Sequence, residues 1–220
     1  MSYNPAKHHR LSIRLRGWDY ASPGSYFVTL CIEDRERPLR GQITRLFGDI
    51  VDGKMRLNEF GRIVADTWDD LPNHFPSIVL DAFVVMPNHM HGIIVLTNGS
   101  TDVGAATVGA GLPRPYGTKP ALGNVIAYLK YQSAKHINSS RRTPGMPVWQ
   151  RNYHEHIIWN DDELTRIRKY IADNPRKWKS DPENPETIKL WKCQKHFKSL
   201  SSLVPKASNR AIRGIFLQPN

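Results

Sequence analysis

Two apolar segments near the middle of the chain, Ile78–Met86 and His89–Leu96, are separated only by Pro87-Asn88. Both contain many β-branched residues and are apolar on alternate faces, which is typical of strands. The proline between them is a strong turn signal. We therefore predict two consecutive strands in the middle of a sheet, and the rest of the chain must fold around this pair.

The flanking segments supply further strands and helices. Ser25–Ile32 has the composition of a first strand, and Asp52-Gly53 marks a hairpin turn within Phe47–Leu57. Apolar residues at helical spacing predict three helices, over Asn58–Leu71, Leu122–Ile137 and Asp161–Asn174. Val148–Trp159 is partly strand-like. The resulting order is strand, helix, strand, strand, helix, strand, with an added hairpin. This order matches an α+β fold, the ferredoxin-like split βαβ sandwich with a central antiparallel sheet.

Polar residues mark the ends of two of these helices. Asn58 and Asn160 are predicted N-caps, and Glu163 would complete a capping box with Asn160. Pro175 is predicted to end the last helix.

The length of 220 residues fits one domain with basic extensions. We predict a basic N-terminal arm over residues 1–23, a folded domain over 24–180 and a basic tail over 181–220. Thr97–Pro120 is dominated by Gly, Ala, Thr and Pro and is predicted as a surface loop. From Arg176 to Asn220, ten Lys or Arg stand against three acidic residues, a surplus of seven.

The charge balance indicates a polyanionic partner. Lys and Arg outnumber Asp and Glu by 31 to 20, a net charge of +11, and each neutralised phosphate releases a counterion. Trp178, Trp191 and Phe197 lie among the cations near the C-terminus, and aromatic faces among cations suit unstacked bases. No long amphipathic basic helix is evident, which favours nucleic acid over a membrane surface.

The cysteine content and the hydropathy of the chain indicate the compartment in which it works. The two cysteines, Cys31 and Cys193, have no CxxC spacing, which argues against a disulfide framework or a cysteine zinc site and suits a reducing cytoplasm. Residues 1–17 are polar and basic, unlike a secretory signal. We expect no membrane span, because even the best apolar stretch is short and contains Asp81.

His89 and His91 form the first candidate site. On a strand, residues two apart point to the same face, so the two imidazoles would lie side by side as metal ligands. The alternative is that both histidines simply pack or form hydrogen bonds at a strand end.

Tyr170 and Asn174 form the second candidate site. They are four apart on the last predicted helix and so share one face, at the edge of its apolar stripe. The phenol is a candidate nucleophile and the amide a candidate oxygen ligand. The alternative is a packing tyrosine and an asparagine that ends a helix.

Together the two motifs resemble a known family. His-hydrophobe-His within Val84–His91, Val148–His156, and Tyr-Ile-x-x-Asn-Pro from Tyr170 follow in the expected order. The chain resembles the single-tyrosine HUH transposases over Ser25–Trp178, and among them most the REP-associated tyrosine transposases.

This resemblance implies a metal-dependent enzyme that cuts and rejoins single-stranded or hairpin DNA. His89, His91 and Asn174 would hold Mg²⁺ or Mn²⁺, which polarises the scissile phosphate. Tyr170 would attack phosphorus, leaving a 5′-phosphotyrosine and a free 3′-hydroxyl, with Arg166 or Lys169 helping to favour the phenolate. Members of the family include dimers that share catalytic helices and also monomers, so both a homodimer and a monomer stay open.

Phosphate contacts are predicted at basic residues of the two later helices and the loop between them. These residues are Lys130, Lys135, Arg141, Arg142, Arg166, Lys169, Arg176 and Lys177.

Several other residues compete for roles in the site. Tyr153-His-Glu-His156 is a second His-x-His motif, in which we expect His156 to support the site and His154 to lie at the surface. Tyr128 and Tyr131 are rival nucleophiles on the preceding helix.

Three other functions also compete. A catalytically idle DNA-binding regulator on the same fold is the main alternative. An RNA-recognition module would need a Gly-Phe-rich strand signature, and a zinc hydrolase would need a His-Glu-x-x-His helix; neither pattern is present.

Overall fold

The computed structural model describes residues 14–15, 17–33, 45–98, 120–181 and 184. The predictions for most of the N-terminal arm, most of the loop 97–120 and nearly all of the C-terminal tail, including Trp191 and Phe197, lie outside these residues. None of the described helices has the length and apolar character that a membrane crossing requires.

The described elements follow the predicted order. The strands are β1 (Gly24–Cys31), β2 (Gly48–Val51), β3 (Lys54–Leu57), β4 (Ile78–Val85), β5 (His89–Leu96) and β6 (His154–Ile158). The helices are α1 (Glu59–Asp69), α2 (Leu71–His74), α3 (Leu122–Ser140) and α4 (Asp161–Lys177), followed by a 3₁₀ turn, Trp178–Ser180.

Four strands form one antiparallel sheet in the order β4-β5-β1-β6, and β2 and β3 form a separate hairpin. With helices α1 and α3 in the two crossovers, this is the split βαβ arrangement, so the predicted α+β fold is confirmed. The prediction that both central apolar strands lie in the middle of the sheet was half right. β5 is internal, whereas β4 is at the edge of the described sheet.

The two faces of the sheet differ greatly in packing. Tyr26, Val28 and Leu30 of β1 face a large apolar cluster that includes side chains of α1 and α3. On that face Gly92 of β5 leaves room for Trp68, because a Cβ there would stand 2.3 Å from the indole ring. The other face carries a much smaller cluster, formed by Phe27, Ile93 and Ile171 of α4. Among the described elements, α4 alone covers this face of the sheet.

The helix caps are confirmed, with two corrections. The side-chain oxygens of Asn58 and Asn160 accept from the third backbone N–H beyond them. The Glu163 carboxylate, however, accepts from the Trp159 N–H and pairs with His156, so the predicted reciprocal box is not the observed arrangement. Pro175 does not end the helix, which runs on to Lys177. Proline this close to a C-terminus removes one backbone donor, and the continued helix brings Trp178 into a buried position.

Candidate metal and nucleophile site

The histidine pair opens β5 on the face covered by α4. His89 and His91 are 0% and 2% exposed, and their Nε2 atoms lie 3.1 Å apart. The two side chains point the same way because they are two apart on a strand. The structure thus brings the two imidazoles together, as the sequence predicts.

The Nδ1 atom of each imidazole lies within hydrogen-bond distance of a side-chain oxygen. His89 Nδ1 lies 2.8 Å from Asn88 Oδ1, and His91 Nδ1 lies 2.8 Å from Thr29 Oγ1. When each Nδ1 donates its proton to that oxygen, both Nε2 atoms keep a lone pair. This is the arrangement in which histidines bind metals, with the other ring nitrogen held by a hydrogen bond.

Two side chains, one from α4 and one from the turn after it, meet this pair. Tyr170 Oη lies 3.4 Å from His91 Nε2, and the Trp178 ring centre lies 6.1 Å from that of His89. Asn174 is midway between Tyr170 and Trp178 at four-residue spacing, which places it on the same side of the helix. The structure therefore joins the two motifs, 79 residues apart, in one site within a single chain.

Asn174 offers an oxygen to this site. Its side chain is 2% exposed, and its Oδ1 has no hydrogen-bond partner among the described residues. A buried amide oxygen without a partner is costly. No group of three or more His, Cys, Asp or Glu in the described ranges could hold a metal ion. Two imidazole Nε2 atoms and an amide oxygen are ligand types that a divalent ion accepts, and Asn174 lies one helical turn beyond Tyr170.

Phe27 and Thr29 of β1 complete the site, and sequence reasoning missed both. The Phe27 ring stacks on His91 at 5.4 Å and meets the Tyr170 ring edge-on at 6.1 Å. Thr29 is the direct β1 partner of His91. The only sequence signal was their alternation in a strand, because their role depends on β1 pairing with β5.

The second His-x-His motif lies on β6. His154 is the β6 partner of Thr29 and is buried, so the prediction that it lies at the surface was wrong. The reason is that the pairing of β6 with β1 places the His154 side chain on the same face of the sheet as Thr29, and α4 covers that face. His156 pairs with Phe27 on the same face, and its Nε2 lies 2.7 Å from Glu163 Oε1.

Glu155 projects to the opposite face, into a cluster of aromatic rings. Its side chain is 1% exposed, and Arg14 Nε lies 3.5 Å from its Oε1. Burial raises the pKa of Glu155, an effect partly offset by Arg14. Arg14 also donates to Tyr153 Oη at 3.0 Å, and burial raises the pKa of Tyr153 to about 12. This cluster joins β6 to the segment before β1.

The predicted DNA-contacting cations fall into two groups on opposite sides of the sheet. The first group lies on or just after α3 and comprises Lys130, Lys135, Arg141 and Arg142. The second lies on exposed positions of α4 and comprises Arg166, Lys169, Arg176 and Lys177. Lys130 differs from the others, because its Nζ donates to the carbonyls of Gln150 and Asn152 at 2.8 and 2.9 Å and burial lowers its pKa to about 8.

The rival tyrosines do not meet the histidine pair in the arrangement described. Tyr128 stacks on His74 of α2 with ring centres 3.9 Å apart. Tyr131 is 64% exposed on α3. Both lie on the helix that packs against the other face of the sheet.

The chain has counterparts among known proteins, although no protein family model matches it. Among solved structures it is similar to a REP-associated tyrosine transposase bound to a REP hairpin, with 18% identity, a TM-score of 0.47, and coverage of 88% of this chain and 89% of that one. It is also similar to a candidate transposase from Deinococcus radiodurans R1, with 15% identity, a TM-score of 0.39, and coverage of 74% and 97%.

A sequence relative occurs in Haemophilus influenzae, where it is described as an uncharacterized protein. The two are 35% identical over 182 residues, which make up 81% of this chain and 95% of the relative. This level of identity along nearly the whole relative shows common descent. The chain therefore belongs to the same family as this Haemophilus influenzae protein.

Proposed function

We propose that this protein cleaves and rejoins single-stranded or hairpin DNA, with Tyr170 as the nucleophile and with Mg²⁺ or Mn²⁺ held by His89, His91 and Asn174. The observation that carries the proposal is the 3.4 Å separation of Tyr170 Oη and His91 Nε2. A phenol and two imidazoles meet at one point, although the motifs that supply them are far apart in the sequence. The buried amide of Asn174 lies one helical turn beyond the phenol.

The donor set supports the metal assignment. With Nδ1 of each ring on an oxygen partner, the Nε2 atoms of both histidines face each other 3.1 Å apart, and Asn174 Oδ1 has no hydrogen-bond partner among the described residues. A bound divalent ion would polarise a phosphate oxygen and favour the anionic form of a nearby phenol.

The chain's own residues then account for the transfer. Tyr170 Oη would form a bond to phosphorus while the bond from phosphorus to the 3′-oxygen breaks, and that oxygen leaves as a 3′-hydroxyl after taking up a proton. The 5′-phosphate stays on Tyr170 as an ester, so the number of phosphoester bonds is unchanged. A strand hydroxyl can therefore reseal the DNA without a nucleotide cofactor. Phe27, packed against the rings of Tyr170 and His91, would hold the phenol beside the histidine pair.

The substrate class follows from charge and position. Arg166 and Lys177 are four residues before and seven residues after Tyr170 on α4, so all three project from one side of the helix. Both cations are exposed. Phosphates on either side of a cleaved bond would meet these cations next to the nucleophile.

The test is covalent capture of labelled DNA. Hairpin oligonucleotides with single-stranded flanks, labelled at either the 5′ or the 3′ end, are incubated with the protein and Mn²⁺ and separated on a denaturing gel. We expect protein-linked label only from 3′-labelled DNA, because Tyr170 would keep the 5′-phosphate of the downstream fragment. Tyr170→Phe should abolish the linkage, whereas Tyr131→Phe, the same substitution on the other side of the sheet, should retain it.

Three results would count against the proposal. Linkage of 5′-labelled DNA would reverse the polarity of the transfer. Linkage that survives in Tyr170→Phe would assign another nucleophile. Hairpin binding with no linkage or nicking under Mg²⁺ or Mn²⁺ would favour a DNA-binding regulator that lacks catalytic activity.

A further inference from the structure

The helix that carries Tyr170 rests on little apolar surface. Among the residues of α4, Ile171 is the one fully buried apolar side chain in the described structure, and it packs on Phe27 and Ile93. Leu164, Ile167 and Tyr170 are only partly buried against this cluster. Apolar contact is non-directional. A cluster this small therefore does not by itself fix how α4 is rotated about its axis.

A bidentate ion pair joins α4 to one edge of the sheet. Arg168 donates from Nε to Asp81 Oδ1 at 2.9 Å and from an Nη atom to Oδ2 at 2.5 Å. Asp81 lies in β4 where the pairing with β5 shifts register, between Leu80 and Phe83. The bond from Arg168 lowers the pKa of Asp81. Two parallel hydrogen bonds restrict direction as well as distance.

A second polar pair joins α4 to the opposite edge. The Glu163 carboxylate, which is 3% exposed, accepts from His156 Nε2 of β6 at 2.7 Å. The other Glu163 oxygen accepts from the Trp159 N–H at 2.8 Å. Both carboxylate oxygens are therefore engaged with the chain around β6.

These two pairs project from different sides of the same helix. At about 100° per residue, Arg168 projects about 140° away from Glu163, whereas Tyr170, seven residues after Glu163, lies on nearly the same side as Glu163. β4 and β6 are the two outer strands of the described sheet. Tyr170 meets His91 of β5 and Phe27 of β1, the two inner strands. α4 is thus tied by polar pairs to both outer strands, while Tyr170 meets the two inner strands.

We propose that Asp81–Arg168 and His156–Glu163 are positioning pairs that set the rotation of α4 and thereby place Tyr170 Oη at the histidine pair. This inference rests on the proposed function. An atom about 6 Å from the helix axis moves about 2 Å when the helix turns by about 20°. A displacement of about 1 Å at a reacting centre can lower a rate by about 100-fold.

The test uses two substitutions with opposite charge changes. Asp81→Asn and Arg168→Gln each break the ion pair. Asp49→Asn and Arg45→Gln are matched controls, because Arg45 and Asp49 form an exposed ion pair that involves no residue of α4. An ion pair with a half-exposed guanidinium contributes little to global stability, so all four variants should fold. Hydrogen exchange of residues 161–177 and the single-turnover rate of adduct formation at saturating DNA are then measured.

We expect Asp81→Asn and Arg168→Gln to accelerate exchange in α4 and to slow adduct formation by about 10- to 100-fold. Their DNA affinities should change in opposite directions, because one variant gains positive charge and the other loses it. The double variant should be no slower than either single one. Glu163→Gln, which weakens the second pair, should change exchange and rate in the same direction. The control variants should leave both unchanged.

The inference is overturned when α4 exchange in Asp81→Asn and Arg168→Gln equals that of the controls, or when their adduct rates match the wild-type rate. A wild-type chain that forms no adduct contradicts the proposed function instead. In that case hydrogen exchange alone tests the positioning role. Faster exchange confined to α4 supports that role for the two pairs, and unchanged exchange overturns it.

Discussion

At the scale of single residues, the candidate site depends on how its imidazoles are oriented. Asn88 and Thr29 occupy the Nδ1 atoms of His89 and His91, which directs both Nε2 atoms to one point. Neither partner would be a metal ligand, yet each would fix the tautomer and rotation of a ligand ring. Thr29 is the more informative of the two, because it is 5% exposed and bonds directly to the histidine next to Tyr170.

Thr29→Val removes this hydrogen bond while keeping the side-chain shape. We expect the affinity for Mn²⁺ to fall by about 10- to 100-fold, because the His91 ring loses its fixed tautomer. Calorimetric titration of wild type and variant with Mn²⁺ measures the change. Thr67→Val is the matched control, since Thr67 bonds to the Ile63 carbonyl within α1. Equal Mn²⁺ affinity in wild type and Thr29→Val would show that Thr29 has no such role.

At the scale of elements, β6 carries different chemistry on its two faces. His154 and His156 share the face of the candidate site, whereas Glu155 projects between Arg14 and the rings near the N-terminal segment. The Glu155 side chain is 1% exposed, and the Arg14 guanidinium that pairs with it at 3.5 Å is half-exposed. Burial therefore disfavours its ionised form, and the elements joined there are least stable when Glu155 carries its charge.

Glu155→Gln should therefore change the pH dependence of stability. Because the folded pKa of Glu155 is raised above the ordinary 4.5, the wild-type free energy of unfolding should fall as pH rises from that value through the folded pKa. Glutamine carries no charge, so the variant should gain on the order of 1 kcal/mol relative to wild type at pH 7.5 and nothing at pH 4. Urea unfolding at the two pH values measures this. An equal effect at both would contradict it.

At the scale of the whole molecule, the sheet separates the basic residues into two surfaces. The α4 surface, Arg166, Lys169, Arg176 and Lys177, lies on the side of the histidine pair. The α3 surface, Lys135, Arg141 and Arg142, lies beyond the large apolar cluster. Under the proposed mechanism, a strand held at Tyr170 would meet the α4 surface directly, whereas it would meet the α3 surface only by passing around the edge of the domain.

Charge removal on the two surfaces should therefore differ in effect. Arg166→Gln with Lys177→Gln should weaken binding of a single-stranded oligonucleotide and reduce its salt slope by about 1.4, from about 0.7 per phosphate contact. Lys135→Gln with Arg142→Gln removes the same charge and should have a smaller effect. Fluorescence anisotropy across a salt series provides both quantities. A larger loss from the α3 variants would place the single strand on that side instead.

The spacing of residues along the sequence was enough to predict most elements of the fold and the face on which each candidate residue lies. Period-two spacing placed His89 and His91 on one face of a strand, four-residue spacing placed Tyr170 and Asn174 on one side of a helix, and the asparagine caps marked where two helices begin. These inferences hold because strand and helix periodicities depend only on neighbouring residues. The order of elements likewise restricted the fold to a split βαβ sheet.

Tertiary structure decided which faces meet. Only the pairing of β1 with both β5 and β6 brought Phe27 and Thr29 to the histidines and buried His154. Only the docking of α4 brought Tyr170 to His91, paired Arg168 with Asp81 and carried the helix past Pro175. These contacts join residues as far apart in the sequence as Ser25 and Ile158. Their energies come from burial and pairing between elements, which local sequence spacing does not encode.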